Sequence, residues 1–185
     1  MAERLIAETP LVTLATCNLD QWALDFDGNL ERVLRSIRIA KEMGARYRLG
    51  PELELCGYGC EDHYLEHDTF LHCDESLAEL LQSDVTEGIL CDIGMPVLHN
   101  GARYNCRVFC LDHKILLVRP KLFMADDGNY RETRYFTTWK RHFATEEHML
   151  SPLLQAATKQ TRVPFGQAAI STMDTMIAAE TCEEV

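Results

Sequence analysis

The strongest constraint on the fold is a run of three apolar segments separated by two tight turns, between residues 91 and 121. The segments read CDIGMPVLH, RYNCRVFCLD and ILLVRPK, and each has the apolar, β-branched character typical of a strand. Asn100-Gly101, between the first two, is the strongest signal for a two-residue hairpin turn. His113 and Lys114 lie at the second turn. The pattern predicts three consecutive strands, the first two joined as a hairpin.

A strand and a helix are predicted upstream of these segments. LVTLATC, residues 11–17, predicts a buried strand, and YRLGPELEL predicts extended structure. Between them, Asp27 can cap a helix that Gly44 can end. The apolar residues of this helix recur at helical spacing: Leu30, Val33, Leu34, Ile37, Ala40 and Met43. Strand, helix and strand form a unit typical of α/β proteins.

The rest of the chain predicts further short elements. The segment GYGCEDHYLEHD is too irregular for a strand, ESLAELLQ predicts a short helix, and residues 124–142 form a long loop. Residues 145–158 are weakly helical, and VPFGQAAIST with MIAAETC predicts a last hairpin. We therefore expect an α/β (α+β) fold, with a tail at residues 1–10 and one domain over residues 11–185.

Length and charge limit the classes of partner. The 185 residues, of which 46% are hydrophobic, suffice for about one domain with a sizeable core. The net charge of −11 disfavours nucleic acid and anionic membranes as partners, and no stretch approaches the roughly 20 apolar residues that span a bilayer. MAERLIAETP is not a secretory signal, so the eight cysteines are expected to be reduced thiols in a cytosolic or nuclear compartment. We expect the protein to be cytoplasmic.

Three polar residues follow apolar segments and are candidates for catalysis. Glu52, after LGP, could be a general base with a raised pKa, or a solvated carboxylate; Glu54 would share its strand face. Lys121 could stabilise an oxyanion or lower the pKa of a thiol, or it could be a surface lysine. Cys182 ends the last apolar segment among acidic residues that disfavour its thiolate, so it is inert unless a base and a cation lie nearby.

Two other groups of residues have simpler interpretations. A cluster of possible zinc ligands matches no common zinc pattern, so capping and hydrogen bonding in a loop are the expected explanation: Cys60, His63, His67, His72 and Cys73. Cys106 and Cys110 share one face of a predicted strand and are expected to be core thiols.

The order of these motifs resembles the nitrilase, or carbon–nitrogen hydrolase, superfamily. Within it, the chain is similar to the glutaminase domain of the eukaryotic-type glutamine-dependent NAD⁺ synthetase family. The resemblance covers nearly all of residues 11–185. The matching segments are TCNLDQWALDFDGNLERVLRSI, GARYRLGPELELCGYGCEDHY, ARYNCRVFCLDHKILLVRPK, DDGNYRETRYFTTW, VPFGQAAI and ETCEEV.

The resemblance implies a fold and a role for each site residue. The fold would be a nitrilase-like αββα sandwich. Glu52 would be the general base, Lys121 the cation at the oxyanion, Cys182 the nucleophile that forms a glutamyl thioester, and Glu132 a second acid beside the lysine. The residues implied to bind glutamine are Tyr58, Tyr130 and Glu183, of which Glu183 would hold the α-ammonium group.

The resemblance also implies partners and a difference from the family. No cofactor is expected in this chain, whereas ATP and Mg²⁺ would act in a separate synthetase domain that amidates deamido-NAD⁺ with the released ammonia. Relative to the family, the sandwich looks incomplete at its C-terminus, so the chain is expected to be a fragment that is inactive alone and a homo-oligomer when full-length. Another nitrilase-type amidase, or a catalytically dead interaction module, are the alternatives.

Overall fold

The computed structural model describes residues 11–185, so the tail predicted at residues 1–10 lies outside the described residues. Its strands are β1 Thr13–Thr16, β2 Ala45–Leu49, β3 Leu90–His99, β4 Ala102–Leu111, β5 Lys114–Pro120, β6 Thr145–Met149, β7 Arg162–Gly166, β8 Ile170–Ser171 and β9 Met176–Ile177. Its α-helices are α1 Phe26–Glu42, α2 His67–Gln82, α3 Glu132–Tyr135 and α4 Pro152–Thr158.

Seven strands form one mixed sheet in the order β1-β2-β3-β4-β5-β7-β6, and β8 and β9 pair separately. β1, β2 and β3 run parallel, while β3, β4 and β5 pair antiparallel as the turn signals predict. Asn100 and Gly101 have φ of 49° and 78°, the left-handed conformation that this turn needs. The second turn lies at Asp112 and His113, one residue earlier than predicted, and Lys114 already begins β5.

The two faces of the sheet have different surroundings. On one face, α1 and α2 contact β2 and β3, and the main core there includes Val33, Leu77 and Ile93. The opposite face carries a smaller apolar cluster around Leu90, Phe109 and Leu117. Because side chains alternate along a strand, Asn105 and Arg107 of β4 lie on the same face as Phe109. The polar side chains of this second face position the candidate site.

Helix α1 begins and ends for local reasons. Asp25, rather than the predicted Asp27, is its N-cap, since the Asp25 side chain accepts a hydrogen bond from the Gly28 N–H. Its predicted end is confirmed, because Gly44 has φ of 78° and donates its N–H to the Lys41 carbonyl.

Several sequence predictions are wrong in detail. β1 is an edge strand whose Leu14 side chain is 61% exposed, so it is not buried. The predicted short helix extends over the 16 residues of α2. Residues 145–149 form strand β6 rather than helix, and only residues 152–158 are helical. The segment VPFG belongs to β7 in the main sheet, so the last hairpin is limited to β8 and β9.

Candidate active site

Glu52 lies in a turn that follows β2. Residues 52–56 form turns, and Leu53 has φ of 51°, so the predicted shared strand face of Glu52 and Glu54 does not exist. Glu54 instead points into the core, where it pairs with Arg48. The Glu52 Oε1 atom accepts hydrogen bonds from Asn105 Nδ2 at 2.6 Å and from Lys121 Nζ at 2.8 Å. The turn thus presents one acid to the site and buries the other.

Lys121 follows directly after β5, and its side chain is 1% exposed. Its Nζ atom donates to Glu52 Oε1 and, at 2.8 and 3.0 Å, to both oxygens of Glu132. Glu132, which begins α3, also accepts from the Ala125 N–H at 2.7 Å and the Tyr58 hydroxyl at 2.7 Å. Each oxygen of the buried Glu132 carboxylate is therefore engaged, and the ammonium group is held between two acids.

Cys182 is positioned by a turn rather than by a strand, which corrects the prediction that it ends one. It is the first residue of the 3-10 turn Cys182–Glu184, and its φ of 55° is in the left-handed region. Such a conformation strains a non-glycine residue and persists only where its surroundings hold it. Glu184 supplies that hold: its carboxylate accepts from Arg119 and from the backbone N–H groups of Leu122 and Thr181.

Glu52 and Lys121 change each other's pKa, and both change the pKa of Cys182. Burial raises the pKa of Glu52, and the hydrogen bond from Lys121 only partly offsets it. Burial alone would lower the pKa of Lys121, but its bonds to Glu132 and Glu52 raise it. Partial burial and the Glu52 carboxylate raise the pKa of the Cys182 thiol, while the charge of Lys121 opposes them. The charges of both groups act on the Cys182 thiol, whose raised pKa makes the neutral thiol its form at neutral pH.

Tyr58 and Tyr130, two of the three residues predicted to bind substrate, connect to the site through Glu132. The third, Glu183, follows Cys182 in the chain. Tyr58 and Tyr130 are partly exposed and pack edge to face, with ring centroids 6.2 Å apart. Tyr58 connects them to the site through Glu132. Glu183 is exposed beside Cys182, and no side-chain hydrogen bond or ion pair of Glu183 is found in the described part of the chain.

Side chains of the possible zinc cluster bond to other partners. His63 pairs with Glu66 and His72 with Glu75, while the Cys60 thiol donates to backbone carbonyls. Within residues 11–185, no three His, Cys, Asp or Glu side chains are arranged to hold a metal ion. Cys106 and Cys110 are buried in the main core, as predicted. No helix of the same residues is long and apolar enough to cross a membrane.

Sequence reasoning missed three residues of the site. They are Asn105, which bonds to Glu52, Arg107, which bonds to the Pro51 carbonyl, and Glu184, which bonds to the Leu122 N–H. They were missed because none of them follows an apolar strand in the way that Lys121 does. The alternation of β4 could have placed Asn105 and Arg107 on one face. No local signal separates Glu184 from its neighbour Glu183.

Comparisons with curated proteins give one consistent result. The chain is 63% identical over 174 residues to a glutamine-dependent NAD(+) synthetase of Bos taurus, and 61% identical over 174 residues to that of Homo sapiens. The synthetase of Saccharomyces cerevisiae is 57% identical over 175 residues. These alignments cover 94–95% of this chain but only 24–25% of each relative. The chain thus spans about a quarter of the length of the curated relatives it matches.

Solved structures share the fold. A glutamine-dependent NAD(+) synthetase from Cytophaga hutchinsonii superposes with a TM-score of 0.84 at 26% identity, over 94% of this chain and 28% of that one. An amidase mutant from Nesterenkonia sp. AN1, with acrylamide added to its active-site cysteine, gives 0.61 at 18% identity, over 76% and 53%. The predicted α/β, nitrilase-like fold and the similarity to glutamine-dependent NAD⁺ synthetases are confirmed.

The match to a family covers nearly the whole of the described chain. The sequence model of the carbon–nitrogen hydrolase family aligns with residues 13–185, from the first residue of β1 through the turn that carries Cys182. Because this alignment includes every strand of the sheet and all of the residues gathered around Lys121, the chain belongs to the carbon–nitrogen hydrolase family.

Proposed function

We propose that this chain is the part of a glutamine-dependent NAD⁺ synthetase that hydrolyses the side-chain amide of glutamine and releases ammonia. The observation that carries the proposal is the arrangement around Lys121, whose ammonium group is bonded to Glu52 and Glu132. The turn that begins with Cys182 is fixed to the same strand end, because Glu184 bonds to Arg119 and to the Leu122 N–H on either side of Lys121. A base, a cation and a thiol are the groups that acyl transfer from an amide requires. The names of the relatives support the choice of glutamine as substrate.

In the first step, the sulfur of Cys182 attacks the amide carbon of glutamine while Glu52 takes the thiol proton. The negative charge that develops on the amide oxygen faces the ammonium group of Lys121. The tetrahedral intermediate then expels the nitrogen, which receives the proton from Glu52 and leaves as ammonia. A glutamyl thioester remains on Cys182.

In the second step, water attacks the thioester carbon and gives a proton to Glu52. The C–S bond breaks, the sulfur regains that proton, and glutamate leaves. Glu52 therefore alternates between base and acid, a use that suits the raised pKa of its carboxyl group. Glu132 is already occupied by Tyr58 and Lys121, so we assign it to holding the lysine rather than moving protons.

The protonation state of Cys182 supports attack assisted by a base. Its thiol has a raised pKa, so a thiolate formed before substrate binds is disfavoured near pH 7. A neighbouring carboxylate that accepts the proton during attack removes this obstacle. Glu52 is the acid that burial has made more basic than an exposed glutamate.

We assign the binding of glutamine to the residues around the cysteine. Tyr58 and Tyr130 supply an aromatic wall, and Glu183 offers an exposed carboxylate to the α-ammonium group of the substrate. Thiols at the site stay reduced in the cytoplasm, which is the compartment we propose.

The amidation of deamido-NAD⁺ with ATP and Mg²⁺ is assigned to another part of the longer protein. We assign no role at Cys182 to ATP or Mg²⁺, because Glu52 and Lys121 already supply the base and the cation that the two acyl-transfer steps need.

The test is to assay NAD⁺ formation by a full-length synthetase that carries this sequence, with glutamine and with ammonium chloride in parallel. Cys182→Ala is expected to abolish formation from glutamine and to spare formation from ammonia. The matched control is Cys17→Ala, at a half-buried thiol that makes none of the hydrogen bonds of Glu52, Lys121 or Glu132, which should spare both.

Two outcomes would contradict the proposal. Equal loss with both nitrogen sources would make Cys182 a structural residue. Faster hydrolysis of simple aliphatic amides than of glutamine would favour a different amidase of the same family.

A further inference from the structure

One residue, Asn105, contacts both the proposed base and the proposed cation. Its side-chain Nδ2 donates to Glu52 Oε1 at 2.6 Å, and its backbone carbonyl accepts from the Lys121 N–H at 2.8 Å. The side chain is buried, and no other hydrogen bond of its amide group is found in residues 11–185. An asparagine amide that donates to a carboxylate fixes the direction of that carboxylate.

The position of Asn105 is set by the sheet rather than by the site. It lies in β4 opposite Pro96 of β3, and the pairing of β4 with β5 continues through Cys106 and Pro120 to the bond with Lys121. Central strands are among the least mobile parts of a fold. Asn105 therefore connects Glu52, whose turn is not part of any strand, to a rigid part of the fold.

Arg107, two residues along the same strand face, fixes the backbone of that turn. Its guanidinium donates to the carbonyls of Gly50 and Pro51 at 2.8 and 2.9 Å and is paired with Asp92 at 2.6 Å. With the backbone held there, Glu52 can still rotate about its side-chain bonds. Asn105 is the neighbour on β4 that acts on the carboxylate itself.

We propose that Asn105 is a positioning residue that holds the Glu52 carboxylate against Lys121, so that base and cation meet the substrate in a fixed geometry. The proposal rests on the proposed function for its catalytic consequence, although not for the contact itself. Burial raises the pKa of Glu52, and the hydrogen bond from Asn105 opposes this effect. Without Asn105, Glu52 should gain rotational freedom and become harder to ionise.

The central variant is Asn105→Leu, which keeps a similar volume and the backbone carbonyl but removes the donor. In the hydrolysis of glutamine, kcat should fall about tenfold with KM little changed, and the acid limb of the pH profile should move to higher pH. The matched control is Val108→Ala, a buried change on the opposite face of the same strand, which should lower thermal stability without moving that limb.

A second readout does not depend on turnover. The rate of alkylation of Cys182 by iodoacetamide is measured by peptide mass spectrometry from pH 5 to 9, in the full-length synthetase that carries this sequence. Because Glu52 acts on the Cys182 thiol, its ionisation should appear as an inflection, and Asn105→Leu should shift this inflection upward by about one pH unit. The same comparison is repeated in a Glu52→Gln background.

A positioning role requires the shift to vanish in the Glu52→Gln background, because Asn105 acts through that carboxylate. No shift, or an equal effect in both backgrounds, would overturn the proposal. If Asn105→Leu fails to fold, Asn105→Asp, which has the same shape, takes its place and should shift the inflection further upward. If the full-length wild type releases no glutamate, the proposed function fails, while the alkylation profiles still decide the role of Asn105.

Discussion

Arg48 and Glu54 form a two-point ion pair with both side chains wholly buried. Arg48 Nη1 lies 2.7 Å from Glu54 Oε1, and Arg48 Nη2 lies 2.8 Å from Glu54 Oε2. Ser36 of α1 accepts two further bonds from the guanidinium, and Glu54 Oε1 accepts one from the Gly94 N–H. The pair joins the end of β2 to the far side of the turn that carries Glu52.

Removing one member of this pair should cost far more than removing both. Arg48→Leu leaves a buried carboxylate without its cation and should lower the free energy of unfolding by about 3–5 kcal/mol. Arg48→Leu combined with Glu54→Leu should recover much of that loss. Urea unfolding of the three proteins measures this, and a double variant less stable than Arg48→Leu would contradict it.

Gly94 is required because β3 passes close under the Glu52 turn. A Cβ atom at Gly94 would lie 2.4 Å from the Pro51 carbonyl oxygen and 2.6 Å from the Leu53 nitrogen, both backbone atoms that cannot rotate away. Gly94→Ala should therefore destabilise the protein by about 1–3 kcal/mol and displace Glu52, with a loss of glutamine hydrolysis. Gly59→Ala is the control, since its nearest neighbour would be 3.9 Å away. Equal thermal stability of the two variants would refute the argument.

Lys121 separates two carboxylates that would otherwise repel each other. Lys121→Met should lower the stability by about 3 kcal/mol and reduce glutamine hydrolysis by at least about 100-fold. Lys140→Met, the same change at an exposed lysine, should alter neither quantity. Turnover by Lys121→Met within a few-fold of the wild type would remove this residue from the mechanism.

The same substitution should affect stability at Glu184 and substrate binding at Glu183. Glu184→Gln weakens the contacts to Arg119, Leu122 and Thr181, so it should lower the melting temperature and slow turnover. Glu183→Gln should leave the melting temperature unchanged and raise KM for glutamine, if the exposed carboxylate binds the α-ammonium group. Thermal melts and steady-state kinetics of both variants decide between these assignments.

His148 makes the fold sensitive to mild acid. Burial and the neighbouring His99 lower its pKa to about 4 from an ordinary value near 6.5, so the folded protein holds it neutral. As the pH falls below about 6.5, the unfolded chain gains a proton that the folded one refuses. Stability is therefore complete above that pH and is lost towards pH 4, by up to about 3 kcal/mol.

Urea unfolding between pH 7 and pH 4.5 measures this effect. The groups around His148 are His99 and, beyond it, Glu146 with its partner Arg141. His148→Leu should flatten the pH dependence, whereas His142→Leu, at an exposed histidine, should keep the slope of the wild type. An unchanged slope in His148→Leu would assign the acid sensitivity to other groups.

The elements that the sequence predicts well are those with local causes. The hairpin at Asn100-Gly101 and the end of α1 at Gly44 each depend on a backbone conformation that few residues adopt. β6 was missed because TEEHM has little strand propensity and depends on pairing with β7. The exposure of β1 was missed because its apolar run does not reveal that it lies at an edge.

The site divides in the same way. Lys121 follows a strand as the pattern indicates, and the residue types at Glu52 and Cys182 are evident from the sequence. The turns that carry Glu52 and Cys182 are not evident, because they are held by contacts with residues distant in the chain. The bonds from Asn105 to Glu52 and from Arg119 to Glu184 span 53 and 65 positions. Local patterns contain no information about such pairs.

The meander β3–β4–β5 also has a consequence for the order of folding. Its strands pair with their neighbours in the chain, so closing its two short turns costs little entropy and should occur early. Asn105, Arg107 and Lys121 would then be in place before the distant segments bearing Glu52 and Cys182 dock on either side. We expect substitutions in the meander to slow refolding and those around Cys182 to speed unfolding, so the reactive thiol meets its base only in the last stage of folding.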